Sequence, residues 1–385
     1  MRMERGIVHI NVSNFSASVE EAADVSLRDR PFVIADEGSS RAIVLETSRR
    51  AWKEGLRRGM PLKTARRMLR NLTIVAPNPA LYQRASRKMM DIAGNYSPVT
   101  ELRAGGHIFL DITGTERLFG QAQDTAARIK EECRMLGLDA ATALSSNKTV
   151  SKVATRVIRP LGFASIPPGD ERDFMSPQKI AFLPGVGDVL HERMTAFGIY
   201  TMNDLTDIEA AQLCRVFGRQ SIRLRERALG IDDEPVQIEP FNRRTVSAEL
   251  VLSQDTGDPD DLSTVLSIIC EEAGFSLRSS ALRASALRLD VIFSDGLTAN
   301  GSAVIRRPVN SDPDLHAAAL PVLRRIAARR VRIRQLKLHL SRLTDSFFQL
   351  SLFDEPQGKL MTAIDRIRTA NGHHIIKRAS RLLWE

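Results

Sequence analysis

The residues best placed to do chemistry form a short glycine motif. Gly185-Val186-Gly187 follows Leu183-Pro184 and opens a helical stretch that runs to Phe197; Gly198-Ile199 and Thr201 to Leu205 complete helix–hairpin–helix spacing. Glycines there let the backbone approach a phosphate, and the amides at the next helix start face it. The implied chemistry is phosphate binding without sequence preference; the competing reading is a hairpin that only packs. Cations point the same way. Residues 41–70 carry ten Lys/Arg against two acids, Glu46 and Glu54. Residues 324–342 carry eight Lys/Arg and no acid. Two separate basic blocks fit a polyanion, nucleic acid being the commonest, although either block alone also reads as a solvated helix face. Metal chemistry finds little support. His373-His374 lacks an acidic companion, and neither His9 nor His107 has ligand spacing to a second donor. Cys133, Cys214 and Cys270 lie far apart with no CxxC, which argues against a zinc knuckle or disulfide scaffold and fits a reducing cytoplasm.

These residues need a scaffold, and the chain is long enough to build one. Its 385 residues point to two or three domains at about 150 residues each. A composition 43% hydrophobic and 26% charged excludes a mostly disordered chain, and no apolar run reaches membrane-spanning length. The start of the chain has no signal-peptide cleavage pattern. The apolar pattern predicts strands at 7–12, 31–35 and 42–45 (these two paired around the turn 36–40), 72–76, 107–112 and 140–145. Helices are expected at 15–23, 49–70 (broken at Gly55 and Gly59), 81–96, 115–136 and 148–158. Strands alternating with helices predict an α/β or α+β core. Residues 165–170, rich in Pro and Gly, read as a linker, followed by short helices to about 229. From 245 to 344 the order reads strand, helix, strand, strand, helix, strand, with Ser294-Asp295-Gly296 as a hairpin turn. The last of these strands alternates basic and apolar residues, which predicts one cationic and one buried face.

With these elements in place, the chain from Ile7 onward resembles the Y-family DNA polymerases, the translesion polymerases of the DinB and UmuC type. The family opens with I-x-H-V-D-M-D-x-F-F-A-x-V-E; this chain has Ile7-Val8-His9-Ile10-Asn11-Val12-Ser13-Asn14-Phe15-Ser16-Ala17-Ser18-Val19-Glu20. Its second motif, S-x-D-E-A-Y-L-D-V-T, corresponds to Ala104 through Thr113. Ser146-Asn147-Lys148, Lys152 and Pro160-Leu161-Gly162 match S-x-N-K…K…K-P-x-G, and Arg243-Arg244-Thr245 with Glu249 matches the entry to the little finger. The resemblance implies an α+β right-hand fold: palm (1–25 and 72–165), fingers (26–71), a helical thumb with the helix–hairpin–helix (166–235), a linker (236–244) and a βαββαβ little finger (245–345). Residues 346–385 would be a tail. The DNA-binding residues expected are Gly185, Val186, Gly187 and the little-finger cations Arg306, Arg307, Arg332, Arg334 and Lys337.

The departures carry the functional expectation. Polymerases of this type hold two Mg²⁺ with carboxylates. The first-motif Asp is Asn11 here, and the second-motif Asp-Glu pair is Gly106-His107, so three negative charges are missing. Asp111, four positions along the strand, does not replace them. The family's steric gate corresponds to Ser16, its triphosphate-holding Tyr and Arg to Arg49 and Trp52, and only Lys152 keeps a phosphate-binding type. No catalytic residue, resident metal or cofactor is therefore expected.

Gln349-Leu350-Ser351-Leu352-Phe353 is similar to the bacterial sliding-clamp motif Q-L-x-L-F, with Leu352 and Phe353 filling an apolar pocket and Gln349 bonding at its rim. The alternative is a helix start packed on the little finger. Residues 359–369 then predict an amphipathic helix with Leu360, Ile364 and Ile367 on one face. The combined expectation is a catalytically degenerate homologue, similar in role to ImuB-type subunits. It would bind primer–template DNA and the clamp, and bring in an active polymerase. It would act in DNA repair in the bacterial cytoplasm, with no membrane partner. The alternatives are an active error-prone polymerase with unusual metal ligands, requiring Mg²⁺, and an inhibitor of lesion bypass.

Overall fold

The computed structural model describes residues 5–37, 41–103, 105–238, 245–345, 357–371 and 376. The chain divides into two compact units, Met1–Phe241 and Asn242–Glu385. It is α+β throughout.

The first unit is organised by β1 (Ile7–Asn11), a strand buried on both faces, followed by α1 (Phe15–Ala23). A small sheet and two basic helices come next: β2 (Phe32–Ile34), β3 (Glu46–Thr47), α2 (Arg49–Lys53), α3 (Leu62–Met68) and β4 (Thr73–Val75). The chain then returns through α4 (Pro79–Gly94), β5 (Thr100–Arg103), β6 (His107–Asp111), α5 (Glu116–Phe119), α6 (Ala122–Met135), β7 (Ala141–Ser145), α7 (Lys148–Ile158) and β8 (Gly162–Ser165). The larger sheet has the order β5-β6-β1-β7-β8, with β1 antiparallel to both neighbours and β8 parallel to β7.

Strand alternation divides this sheet. Val8, Ile10, Ile108 and Leu110 pack with Met89 of α4 and Ile129 of α6 on one face. Ile7, His9, Asn11, His107 and Phe109 share the other face, and α7 lies over it. Short helices α8 (Glu171–Met175), α9 (Asp188–Ala196), α10 (Met202–Asp207), α11 (Ala210–Phe217) and α12 (Gln220–Ala228) build a further core with Val150 and Val153 of α7.

Three expectations need correction here. The partner of β2 is Glu46–Thr47, not 42–45; Ala42 and Val44 instead bond to Leu62, Gly59 and Met60, tying down the approach to α3. Residues 162–165 form an edge strand of the larger sheet, and Ile166 still bonds to Leu144. Strand β5 was not anticipated, because Thr-Glu-Leu-Arg has too few apolar residues to signal burial.

The second unit is a four-stranded antiparallel sheet, β11-β10-β12-β9, backed by two helices. Its elements are β9 (Thr245–Thr256), α13 (Pro259–Ser279), β10 (Leu282–Phe293), β11 (Thr298–Val309), α14 (Asp312–Ala327) and β12 (Ile333–Asp345). The expected order and the hairpin at Gly296 are both present. A bulge between Ile333 and Gln335 breaks the alternation in β12, so Ile333 and then Leu336, Leu338 and Leu340 face the core.

Helix α15 (Gln357–Asn371) docks by charge rather than by its apolar stripe. Leu360 and Ile367 are 58% and 41% exposed, whereas Arg368 is 5% exposed. Arg368 donates to Glu271 of α13 at 3.1 Å. Arg278 donates to both Asp365 oxygens at 2.6 and 3.0 Å, and to Asp312 at 2.7 Å. Among the described residues, no helix is long and apolar enough to cross a membrane. Removing one partner of a buried ion pair leaves the other charge stranded, which costs about 3–5 kcal/mol. Arg368→Ala is therefore expected to release α15. Hydrogen exchange should then speed up in 360–368 while β10 and β12 stay protected; unchanged exchange would refute the ionic docking.

Candidate functional site

The site begins at a cross-strand pair. Asn11 at the end of β1 lies opposite His107 at the start of β6, and Val12 N–H donates to Gly106 C=O at 3.2 Å. The three positions singled out from the sequence are thus brought together. Their donor set is not one for Mg²⁺. Asn11 is 2% exposed, and its amide Nδ2 has no hydrogen-bond partner among the described residues. Gly106 has φ +75, and a Cβ built on it would sit 2.5 Å from Phe15 Cδ2. On this backbone a side chain at 106 would run into the Phe15 ring.

His107 belongs to a hydrogen-bonded chain with His9 and Thr155. The Thr155 hydroxyl donates to the Lys152 carbonyl at 2.9 Å, so it accepts from His9 Nδ1 at 2.7 Å. His9 Nε2 is then an acceptor and takes the His107 Nδ1 proton at 3.2 Å. The two imidazoles stack with centroids 5.3 Å apart, and His9 also lies on Phe109 at 4.3 Å. Burial pushes the His9 pKa well below 6.5, with His107 and nearby cations adding to the effect. Burial, then Lys152, Arg156 and Arg159, lowers the His107 pKa to about 4. Both rings are neutral at pH 7. His107 offers one neutral nitrogen, a poor ligand for a hard cation. Among the described residues, no three His, Cys, Asp or Glu form a metal-binding group.

The charges around this pair are positive. Helix α7 carries Lys148, Lys152 and Arg156 four residues apart, on one helix face. Lys148 is neutralised: its Nζ donates to Glu101 at 2.8 Å, to Glu234 at 3.0 Å and to the Pro235 carbonyl at 3.3 Å. Glu101 is 1% exposed and also accepts from Arg103 and from Gln237 N–H. Arg156 bonds a carbonyl, Phe182 O, at 2.7 Å. Neither Lys152 nor Arg156 has a carboxylate partner among the described residues. Burial, then Arg156, Arg103, Lys148 and Arg227, pushes the Lys152 pKa down to about 8. Lys152 and Arg156 thus stand beside these strand ends as cations without carboxylate partners among the described residues.

The other pocket positions are equally altered. Ser16 N–H, at the start of α1, donates to the Glu46 carboxylate at 3.0 Å, and Asn14 anchors the same turn to the Thr47 carbonyl. A carboxylate of the chain itself thus holds this amide. Arg49 is exposed on α2, and the exposed Trp52 ring is covered by the Arg57 guanidinium at 4.5 Å. Sequence reading missed Phe15, Glu46, Arg156 and the Glu101–Lys148–Glu234 knot. The four-residue spacing of cations on α7 was the one available signal.

Elsewhere, Gly185-Val186-Gly187 forms the hairpin before α9. Gly185 takes φ +104 with Leu224 close behind it, and Gly187 starts the helix with open space beside it. On the second unit, Arg306, Arg307 and Arg332 are exposed. The cationic face expected of β12 is partly cancelled, because Arg334 pairs with Asp255 at 3.3 Å and Lys337 with Glu249 at 2.8 Å. Gln349, Leu350, Leu352 and Phe353 lie outside the described residues, as do Arg243, Arg244, His373 and His374.

Comparison with known proteins agrees with this architecture. Residues 10–156 match the impB/mucB/samB family, and residues 243–352 match the impB/mucB/samB family C-terminal domain. DNA polymerase IV of Dehalococcoides mccartyi (strain CBDB1) is 28% identical over 373 residues, 96% of this chain and 95% of the relative. DNA polymerase IV of Marinomonas sp. (strain MWYL1) is 30% identical over 270 residues, 69% of this chain and 75% of the relative. Among solved structures, a Y-family DNA polymerase chimera, Dbh-Dpo4(243-245)-Dbh, superposes with TM-score 0.79 at 21% identity, covering 88% of this chain and 99% of that one. DinB from Sulfolobus solfataricus gives TM-score 0.60 at 21% identity, covering 87% and 98%.

The histidine pair sets a pH dependence. Folded His107 titrates near 4 and the unfolded residue near 6.5, so between these values the unfolded chain binds a proton that the folded chain refuses. Its contribution to stability is complete above 6.5 and is lost as pH falls toward 4. Urea midpoints measured across that window should fall with pH for the native chain, and His107→Gln should flatten the curve. Parallel curves would refute the assignment.

Proposed function

Because the chain belongs to the impB/mucB/samB family of Y-family DNA polymerases, we propose that it is a member that holds primer–template DNA without extending it. It would act as an adaptor in translesion synthesis, linking DNA and the sliding clamp to an active polymerase. The carrying observation is the trio at the strand ends: Asn11 with an unpartnered amide, Gly106 closed off by Phe15, and neutral His107 beside unpaired cations. Two Mg²⁺ beside a triphosphate need carboxylates there, and none is supplied. The Glu46 carboxylate on Ser16 N–H adds a negative charge near the substituted gate.

On this proposal the large sheet is the palm (1–25 and 72–165), and the small sheet with α2 and α3 is the fingers (26–71). Helices α8 to α12 are the thumb (166–235), 236–244 is the linker, and 245–345 is the little finger. DNA would be held by Gly185, Val186 and Gly187 through backbone amides, and by Arg306, Arg307 and Arg332 through exposed charge. Arg334 and Lys337 would contribute less, because each must first leave an acidic partner.

The deciding measurement is primer extension with Mg²⁺ and then Mn²⁺, beside a gel shift on the same primed template. We expect a shift and no extension. Extension above a no-protein control would make the chain a polymerase with other metal ligands and overturn the proposal. The matched revertant Asn11→Asp, Gly106→Asp, His107→Glu should lose about 1–3 kcal/mol of stability, since position 106 cannot gain a side chain without displacing Phe15. Adding an active translesion polymerase separates the two non-catalytic roles: an adaptor raises its extension and an inhibitor lowers it. For the clamp, Leu352→Ala with Phe353→Ala should abolish co-elution; unchanged co-elution would remove the clamp from the proposal.

A further inference from the structure

We propose that the groove between α1 and α4, on the sheet face opposite Asn11 and His107, is a docking site for an acidic amphipathic helix of another protein. The groove lies wholly within the first unit. The inference stands apart from the functional reading, since the groove is the same whether or not the chain extends a primer.

Small residues make the groove. Val19, Ala22 and Ala23 line it from positions i, i+3 and i+4 of α1. Leu81, Arg84, Ala85 and Lys88 line it from i, i+3, i+4 and i+7 of α4. One face of each helix therefore meets at the seam, and the alanines leave that seam unfilled. Its walls are fixed. The Tyr82 hydroxyl donates to Glu20 at 2.8 Å, which ties α4 to α1. The loop that completes the lining lies against α1, since a Cβ on Gly137 would sit 3.0 Å from Ala22 Cβ. The buried Val19 and Leu138 line it from below and belong to the same core as Val8 and Leu110. The cleft measures about 200 Å³, less than the roughly 300 Å³ at which small-molecule sites begin. That is room for one large apolar side chain. A seam between two helices is the surface into which a third helix packs its ridge, with anchors at i, i+3 or i+4.

Charge selects the occupant. Arg84 and Lys88 are the charged residues of the lining, both exposed and one turn apart on α4. Neither pairs with a carboxylate among the described residues. The acids next to the lining in sequence are engaged elsewhere. Glu20 accepts from Tyr82, and Asp24 from Ser26 N–H at 2.9 Å. The charges of Glu21 and Asp139 act on Arg28 and Arg134. A helix with an apolar anchor and an acid one turn to either side would seat the anchor in the seam and set a carboxylate on each cation. A basic helix would be repelled. Exposed pairs of this kind add little strength but discriminate between partners. The layer of Val8, Ile10, Ile108 and Leu110 separates the groove from the strand face bearing Asn11 and His107, so a helix docked here leaves that face free.

The test pans the full chain with a phage-displayed library of capped helices of about 16 residues, randomised at the anchor and flanking positions. We expect the enriched sequences to carry a Leu, Ile or Phe anchor with acids one turn away. A synthetic peptide of the enriched sequence is then titrated by fluorescence anisotropy. Ala85→Leu, which fills the seam, should weaken its binding about tenfold, as should Arg84→Glu combined with Lys88→Glu. The charge-reversed chain should recover affinity for the same peptide with its acids changed to Lys, a result that a folding defect could not produce. Arg67→Glu with Arg87→Glu makes the same change of charge at exposed positions outside the lining and should bind as the native chain does. No enrichment, enrichment of basic or anchor-free sequences, or binding indifferent to both Ala85→Leu and charge reversal would overturn the proposal. So would a native dimer, seen by sedimentation equilibrium, that Ala85→Leu dissociates, because the occupant would then be a second copy of this chain. Primer extension by the native chain defeats the functional proposal and leaves this one standing.

Discussion

Lys148 is the pin on which the first unit depends. Its ammonium sits between Glu101 of β5 and Glu234 of the segment after α12, 5.2 Å from the centre of the Phe109 ring. A cation this well enclosed is tolerable only because two carboxylates and a carbonyl complete its shell. The same contact fixes helix α7 against the sheet, and through the four-residue periodicity it decides where the next two cations point. It also consumes the acids that could have neutralised them. The electrostatic character of this face of the sheet therefore follows from a structural ion pair on its border.

Much of this arrangement was legible in the chain, and the boundary has a physical cause. Strands β1, β6 and β7 declare themselves by continuous β-branched and apolar runs, and the 245–344 succession by alternation with a Gly296 turn. These signals are local. Strand β5 is half polar because its Glu101 is buried by a partner 47 residues away, which no periodicity reports. Helix α15 was expected to be amphipathic, with Leu360 and Ile367 on one face, yet both are exposed and Arg368 turns inward, because Glu271 and Arg278 of α13 pair with Arg368 and Asp365. At the site, substitution of the metal positions could be read from their identities. The backbone at 106 could not: Gly106 takes φ +75, and the β1–β6 register brings the ends of those strands together so that a Cβ there would meet Phe15.

The proposed division of labour follows from how differently the two kinds of contact respond to change. Metal catalysis needs several charges held at once in strict geometry, so a single loss disables it. Backbone contact to DNA is spread over exposed cations and helix-start amides, each adding a modest, replaceable amount. A chain can lose the first and retain the second with its fold unchanged, because fold and site chemistry are separable. The exposed Arg306 and Arg307 and the open Gly187 belong to the durable class, and Asn11 to the fragile one.

The turn at Gly106 also sets an order of events for any route to a carboxylate there. Phe15 matches the Phe of the family's opening motif, so the ring is not new; what brings a Cβ onto it is the left-handed backbone at 106. An acidic residue placed at 106 alone meets an aromatic ring at 2.5 Å and an unfavourable backbone angle, and it destabilises the protein before it can act. The turn would have to change first, with no benefit until the acid followed, so on the proposed function this backbone would act as a ratchet against regaining metal chemistry by drift.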